Sequence, residues 1–588
     1  SAIRVGSIVT TDDSAAPGKA SVCAGTATEP TTTAEAARPT TAAAPIRRRI
    51  ENENIRTPWV MRCQHRRLAE TVAGIDTLMS KESDVPLTQP HRDAHREQRK
   101  PITGTTTMPA KTRTRPQHLP DSYSNTLINM SSRSVAIVGA GIAGLAAAEQ
   151  LTRDGDIAVT LFERSDRVGG KLIASPFAGL AHVDESADAF LARVPDATNL
   201  ASTVGLSESL VHPEAVGAAV WHDQLHPIPD GLLLGVPGKL GPLARTGLIS
   251  WKGKLRAALE PILPRQSLAH DSVGQYVRGR FGTEVHERLV DALVGSIYAT
   301  DTDQFSLAEV PQLHALASGH RSALLAASRT RSAGTASASA SPIFASPTSG
   351  VGALATATAD HAVTAGLELR LDNPVGTIRE AGSGNGWELD GQQFDAVIVA
   401  TPAGAAASTL SAAAPAAAQG LAGAETADVV LVTLHIAADE WPDRLAGRSG
   451  YLIPKPMQRS ITAVSFGTQK WAHWAPPSGG QILRVSLGRD GKPVLHLSDE
   501  DIIARVLDDL QLHLGVRFTP REVRVSRWPG AFAQYRPHHR RWVDGIEATL
   551  PAGIFLAGAS YRGIGVPACI RNGQIIAKTS AEFVRSLT

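Results

Sequence analysis

The chain is short of cysteine, of aromatic side chains, of net charge and of long apolar runs. Its three cysteines, Cys23, Cys63 and Cys569, stand far apart in 588 residues, which excludes a disulfide scaffold and a zinc knuckle. Lys+Arg 58 against Asp+Glu 56 gives a net charge of +2, which excludes a generally basic nucleic-acid binder. No uninterrupted apolar run reaches the roughly 18 residues that a membrane-spanning helix needs. Aromatics are only 5%, against an abundance of Ala, Gly and Ser. What is present is globular in character: 43% apolar and 19% charged residues, with length enough for about two to four domains.

The basic residues are concentrated at one end. Residues 1–130 hold 18 Lys/Arg and 13 Asp/Glu. Stretches such as TATEPTTTAEAARPTTAAAP show neither strand nor helix periodicity, and their Thr, Ala, Pro and Arg content predicts a disordered, low-complexity extension. A short helix is expected near Trp59–Met79. The start has no apolar core of a secretory signal, and 13 acids argue against a transit peptide. Met130 stands directly before SSRSVAIVGAGIAG, so the folded protein is expected to begin there, the rest being a tail or a start-site artefact.

From Ser134 the pattern is strong. SVAIV reads as a buried strand, GAGIAG as a tight turn, LAAAEQLTRDG as a helix closed by Gly155, and IAVTLFE as a second strand ending at Glu163. Helical patterns fill 196–330, and TASASASP at 335–342 reads as a loop. Strand-like segments return at LELRLDNPVGTI and DAVIVATP, and AGAAASTLSAAAPAAAQGLAG reads as surface helix. VVLVTLHI, GYLIP, ITAVSFG and ILRVSLG then alternate as strands, and GIFLAGAS precedes a loop and a long helix.

Gly139-Ala140-Gly141-Ile142-Ala143-Gly144 lies between a strand and a helix. The first glycine suits the turn, the second lets a pyrophosphate approach the backbone, and the third lets helix and strand pack closely. Phosphates would meet the helix N-terminus. Glu163, 24 residues beyond Gly139, is placed to accept hydrogen bonds from ribose hydroxyls. The run Glu163, Arg164, Arg167, Gly169, Gly170, Lys171 adds a second glycine pair and basic residues, suited to a loop folding over a long dinucleotide.

This stretch resembles the FAD signature of the amine oxidase-type flavoproteins, with their glutathione-reductase-like fold. Further matches are Val375 in LDNPVGTI at the strand that contacts adenine, Ala400 in DAVIVATPA, and Gly558, Ile564, Gly565 and Val566 in LAGASYRGIGVPACI beside the isoalloxazine. Ala559 replaces a polar residue usual there, which leaves backbone contacts. Within the superfamily, the chain from about 133 to 585 resembles bacterial coproporphyrinogen III/protoporphyrinogen oxidases. AHVDESADAFLARVP carries Ser186, in place of a usual glycine, and Asp188; LHPIPDGLLLGVP, LVDALVGSIYATDTDQFSLAEVPQL and RWPGAFAQYRPHH match further segments, the last with Trp528.

The resemblance implies an α/β protein with a Rossmann-like FAD-binding domain, a mixed-sheet substrate domain and a helical domain. The expected boundaries are 131–220, 346–405 and 546–588 for the FAD-binding parts, 221–345 for the helical part and 406–545 for the substrate domain. It implies removal of six hydrogens from a porphyrinogen, with flavin as hydride acceptor, molecular oxygen reoxidising it to give hydrogen peroxide, and no catalytic base required. Actinobacterial members of this type act on coproporphyrinogen III, and the Ala- and Arg-rich composition fits a high-GC bacterium.

Arg193 is a candidate partner for a propionate, with a solvated arginine as the alternative. Trp528 is expected beside the flavin or in a core. His538 and His539, after Tyr535, are expected at the surface, and Cys569 as a buried thiol without a covalent flavin link. Gly231–Ser250 with Trp251, an apolar stretch carrying Lys239 and Arg245, suits either a core or peripheral contact with a membrane surface. Partners implied by the resemblance are the porphyrinogen, oxygen and later enzymes of haem formation, with no nucleic acid or metal, in the cytoplasm. The competing readings are an amine oxidase or carotenoid-type desaturase, with the scarcity of aromatics counting against an amine site and the IYATD segment pointing elsewhere, and a flavin-binding protein without turnover.

Overall fold

The computed structural model describes residues 133–334, 342–382, 384 and 386–587. The N-terminal extension, with the helix expected at Trp59–Met79, lies outside them, as does most of the 335–342 loop.

Five parallel strands form the first sheet, in the order Glu368–Arg370, Ile157–Phe162, Arg133–Val138, Ala396–Val399, Ile554–Leu556. Its strands are runs of Val, Ile, Leu and Ala without alternation, because helices cover both faces. Val135, Ala136, Ile137 and all of Ala396–Val399 are fully buried. On one face lie the helices Ile142–Thr152, Gly352–Thr364 and Val566–Ser586. On the other, the alanine-rich helices Ala403–Thr409 and Pro415–Ala422 pack with Trp387, Phe394 and Ile546. The small residues of Ile142–Thr152 allow close approach: a Cβ on Gly573 would stand 2.1 Å from the Ala143 carbonyl oxygen. Of LELRLDNPVGTI only Glu368–Arg370 is strand. Asp372, at φ +51°, and Pro374, which has no N–H to donate, end it.

The second sheet has seven strands, ordered Glu522–Ala533, Thr426–Ile436, Gln481–Leu487, Ile461–Phe466, Arg448–Leu452, Gly217–His222, Gln224–Pro227. The boundary expected at 220 falls inside a strand: the 217–227 hairpin belongs to this sheet and precedes the helical part. Val430, Val432, Leu434 and Ile436 face the helix Asp499–Leu514 through Ile502, Val506 and Leu510. Ser498 caps that helix by accepting from Asp501 N–H (3.1 Å), three acids occupy its first turn, and Gly515 closes it at φ +66°.

The helical part centres on Val273–Phe281 and a π-helix at His286–Gly295. Its interior holds a buried ion pair. Glu260 is 0% and Arg280 2% exposed; Arg280 Nε donates to Glu260 Oε1 at 2.7 Å and its Nη atoms to the Pro264 and Arg321 carbonyls. Glu260 also accepts from Ser322 Oγ (2.5 Å) and Ala323 N–H (2.9 Å), at the start of the helix Ala323–Gly334. In the Gly231–Ser250 stretch, Val236, Leu243, Leu248 and Ile249 are core residues and Leu240 is exposed; in the segment after it Trp251, Leu255, Leu259 and Ile262 are exposed. Among the described residues, no helix is long and apolar enough to cross a membrane.

Candidate dinucleotide site

The chain leaves its first strand at Val138 and turns at Gly139, whose φ of +104° would strain any side chain. Gly139 N–H donates to the Phe162 carbonyl (2.7 Å). A Cβ on Gly144 would stand 2.0 Å from the Gly139 carbonyl oxygen and 3.2 Å from Ala400 Cβ. The third glycine is therefore what lets helix and strand end meet. A Cβ on Gly141 would meet nothing within 4 Å, so this backbone borders open space. The helix Ile142–Thr152 begins there with no side-chain cap and no acid in its first turn, which leaves its first N–H groups without a side-chain acceptor. Ala140 and Ala143 are buried at the turn.

Glu163 is fixed against this turn. Its Oε2 accepts from Ala140 N–H (2.8 Å), and its Oε1 from Ser165 N–H (3.0 Å) and Oγ (2.7 Å), which leaves lone pairs for further donors. The Val375 loop runs beside it, with Asn373 N–H donating to the Glu163 carbonyl (2.9 Å). Arg164 is exposed. Arg167 braces the second glycine pair by donating to the Val168 (3.2 Å) and Gly170 (2.8 Å) carbonyls. Gly169 N–H donates to the Ala140 carbonyl at 2.8 Å, which sets the second glycine pair on the first. Lys171 reaches the substrate sheet and donates to the Gly530 (3.1 Å) and Ala531 (2.6 Å) carbonyls; desolvation lowers the pKa of its ammonium. Ser186 Oγ donates to the Lys171 carbonyl.

A second helix start faces the same crevice. Gly565, at φ +107°, precedes Val566–Ser586 with no side-chain cap, and a Cβ there would again enter open space. This helix crosses Ile142–Thr152 where Gly573 meets Ala143. Gly558 N–H donates to Asn572 Oδ1 (2.7 Å), Ala400 N–H donates to the Val138 carbonyl (2.8 Å), and Val566 is buried in the shared core. Ile564 packs instead against the core of the helical part.

The other expected residues stand as follows. The Asp188 carboxylate pairs with Lys470 (2.9 Å) and Arg484 (3.6 Å) and accepts from Trp471 Nε1 (3.3 Å). Burial opposes its charge, but the two cations prevail and hold it well below the usual carboxylate range. Trp528 Nε1 donates to the Glu185 carbonyl (3.0 Å), so the indole joins the substrate sheet to the segment after the lysine. Arg193 is exposed, between the strand Phe190–Leu191 and the helix Pro195–Thr203. Cys569 is buried, and burial pushes its thiol up to about 11.

His538 is exposed, but the surface expectation fails for His539. Its ring is buried, stacks on Tyr535 at 3.7 Å and bonds the Tyr561 carbonyl at 2.8 Å; burial depresses its pKa to about 4. Tyr535 had a role that sequence reasoning missed. Its hydroxyl donates to the Ala559 carbonyl (2.7 Å) and accepts from Gly563 N–H (2.9 Å), fixing the loop before the second helix. Asn572 was missed too; its one legible signal is a polar residue on the apolar face of a long helix.

A crevice at the carboxyl ends of parallel strands, where connections diverge to either side of the first strand and two uncapped helices begin, suits the phosphates of a long dinucleotide. That geometry defines the class: a dinucleotide-dependent oxidoreductase. Comparison with known proteins narrows it. A family model described as "Flavin containing amine oxidoreductase" matches residues 142–579. The coproporphyrinogen III oxidase of Bacillus subtilis (strain 168) is 32% identical over 475 residues, covering 77% of this chain and 99% of the relative. That of Mycobacterium tuberculosis (strain ATCC 25618 / H37Rv) is 32% identical over 456 residues, covering 75% and 96%. The crystal structure of a provisionally named protoporphyrinogen oxidase from Exiguobacterium sp. 255-15 superposes with a TM-score of 0.68 at 28% identity, covering 77% and 100%. The chain belongs to the flavin-containing amine oxidoreductase family, in the branch of the coproporphyrinogen III oxidases. Its cofactor is FAD.

Proposed function

We propose that the protein oxidises coproporphyrinogen III to coproporphyrin III in haem formation, with molecular oxygen as final acceptor and three hydrogen peroxides formed per product. One juxtaposition carries the reading. The IYATDTDQFS segment brings Tyr298 and Phe305 into a stack (4.9 Å) that continues to Tyr535 (6.1 Å), whose hydroxyl holds the loop at Ala559–Gly563. Ile564 and Leu232–Leu234 pack against the same core. Phe305 and Tyr535 are fully buried, so Tyr298, at the half-buried end of the stack, is the ring we assign to the flat macrocycle, and the two relatives above carry the corresponding name.

Bound FAD supplies the two-electron acceptor for each dehydrogenation. Our assignment of its holders is the backbone at Gly139–Gly144 and Gly565–Val566 for the phosphates and flavin end, and Glu163 with the Val375 loop for the adenosine end. Lys171 holds the glycine loop against the substrate sheet. Arg193 is our candidate partner for a propionate, where a hydrogen bond to a charged group contributes about 1.5–3 kcal/mol.

Steady-state oxidation of both porphyrinogens tests this. Coproporphyrinogen III is expected to be the faster substrate, and Arg193→Ala is expected to raise KM more than it lowers kcat. Preference for protoporphyrinogen IX, the activity in the Exiguobacterium protein's name, would replace the substrate and leave the family unaffected. Oxidation of an amine but neither porphyrinogen would end the reading.

We also infer peripheral contact with a membrane surface. Trp251, Leu255, Leu259 and Ile262 recur at helical spacing and are exposed, beside Lys252 and Lys254. The protein is expected to co-sediment with anionic vesicles, and Trp251→Glu/Ile262→Glu to remain in the supernatant. Equal sedimentation of both would refute the contact.

A further inference from the structure

One face of the seven-stranded sheet packs on a helix; the other carries a row of polar side chains. Strand register sets Arg524, Thr433, Arg484 and Ser465 opposite one another on four neighbouring strands. Directly paired residues share a face. Over this row lies the hairpin of Ala174–Phe177 and Leu180–Asp184. Arg524 donates to Ser175 Oγ (2.7 Å) and the Val183 carbonyl (3.0 Å), and Arg484 donates to the Ser186 carbonyl. Asp184, 1% exposed, accepts from Val351 N–H at Oδ1 (2.8 Å).

Five buried atoms in this seam have no hydrogen-bond partner among the described residues: Asp184 Oδ2, Arg524 Nε, Thr433 Oγ1, Arg484 Nε and Ser465 Oγ. Buried polar atoms are ordinarily satisfied, and where protein does not reach them internal water does. A hydrophobic seam would contain none of these groups, so their concentration here calls for a polar occupant.

We propose that the seam is a buried water site, in which internal waters join Asp184 to Thr433 and the flanking arginines, and through which Asp184 exchanges a proton. The charged and titratable groups around it are Arg484 and Arg524 from the sheet and Asp188 from its own segment, with Glu185, Glu522, Lys470 and His473 beyond them. Burial outweighs the two arginines and raises the Asp184 carboxyl to about 7. Two residues on, Ser186 is bonded to the carbonyl of Lys171 in the cofactor loop. Dehydrogenation of a porphyrinogen releases protons, and Asp184 can hold one inside the protein. That use rests on the function proposed above; the water site itself does not.

Infrared difference spectroscopy of resting, flavin-loaded protein tests the site without substrate. A protonated carboxyl band is expected to shift in deuterium oxide, to titrate away through neutrality, and to be missing from Asp184→Asn. Thr433→Val keeps the shape and removes one water anchor. It is expected to move the midpoint up by about one pH unit as the carboxylate loses solvation. A band titrating in the ordinary carboxylate range, or a midpoint indifferent to Thr433→Val, overturns the proposal. The second variant keeps the test available if Asp184→Asn does not fold. If the band behaves as expected but neither porphyrinogen is oxidised, the proposed function fails and the water site stands.

Discussion

Gly144→Ala is expected to lose flavin and stability together, whereas Gly141→Ala loses flavin alone. The added methyl at 144 would lie 2.0 Å from the Gly139 carbonyl oxygen, a backbone atom that cannot swing aside. The helix Ile142–Thr152 must lift from the strand end, and Val566–Ser586, packed on it at Gly573, must follow. Overpacking of this kind costs about 1–3 kcal/mol. Gly141 has φ −68° and open space where its Cβ would be, so alanine fits the protein without strain. The methyl would instead occupy the approach proposed for the pyrophosphate. Flavin-to-protein absorbance after desalting, with urea unfolding of the flavin-free proteins, separates the two effects. Both variants are expected to bind flavin at least about tenfold more weakly than the wild type, a loss of roughly 1.4 kcal/mol or more. Full flavin retention by Gly141→Ala would show that the cofactor does not use this turn.

Arg280→Met should be the most damaging change in the helical part. It leaves Glu260, fully buried, with its charge uncompensated, and also strips the Pro264 and Arg321 carbonyls of a donor. Removing one partner of a buried ion pair costs about 3–5 kcal/mol. The double variant Glu260→Leu/Arg280→Met is expected to recover much of that, because it removes the stranded carboxylate. The recovery is expected to be incomplete, since Glu260 also accepts from Ser322 and Ala323 at the next helix start. Chemical denaturation of the three proteins measures both quantities; a loss below about 1 kcal/mol in the single variant would show that the pair is dispensable.

Sequence reasoning worked where structure is made locally. The turn from Val138 to Gly144 is set by steric needs within seven residues, and those needs are written as glycines. Glu163 was legible because a strand end fixes where a side chain points, and its bonds to Ala140 and Ser165 span few residues. The misplaced features depend on partners far along the chain. His539 lies in a basic run that looks solvated, but Tyr535 and the Tyr561 carbonyl enclose it. The Gly217–His222 strand pairs with Arg448–Leu452, more than two hundred residues later, and nothing nearby announces that. The ion pairs of Asp188 with Lys470 and Arg484 likewise form only on folding and could not be read from its segment.

The parallel sheet draws its strands from residues 133–162, 368–399 and 554–556, and one of its two edge strands, Ile554–Leu556, comes last. During synthesis, the glycine turn leaves the ribosome some four hundred residues before the helix Val566–Ser586 that closes the crevice beside it. Until then Ile142–Thr152 lacks its main packing partner, and its apolar face stays open to misassociation. Cofactor capture is therefore a late event, after the final helix has emerged. A chain cut short by even its last two dozen residues would keep an intact fingerprint sequence and have no crevice in which to use it.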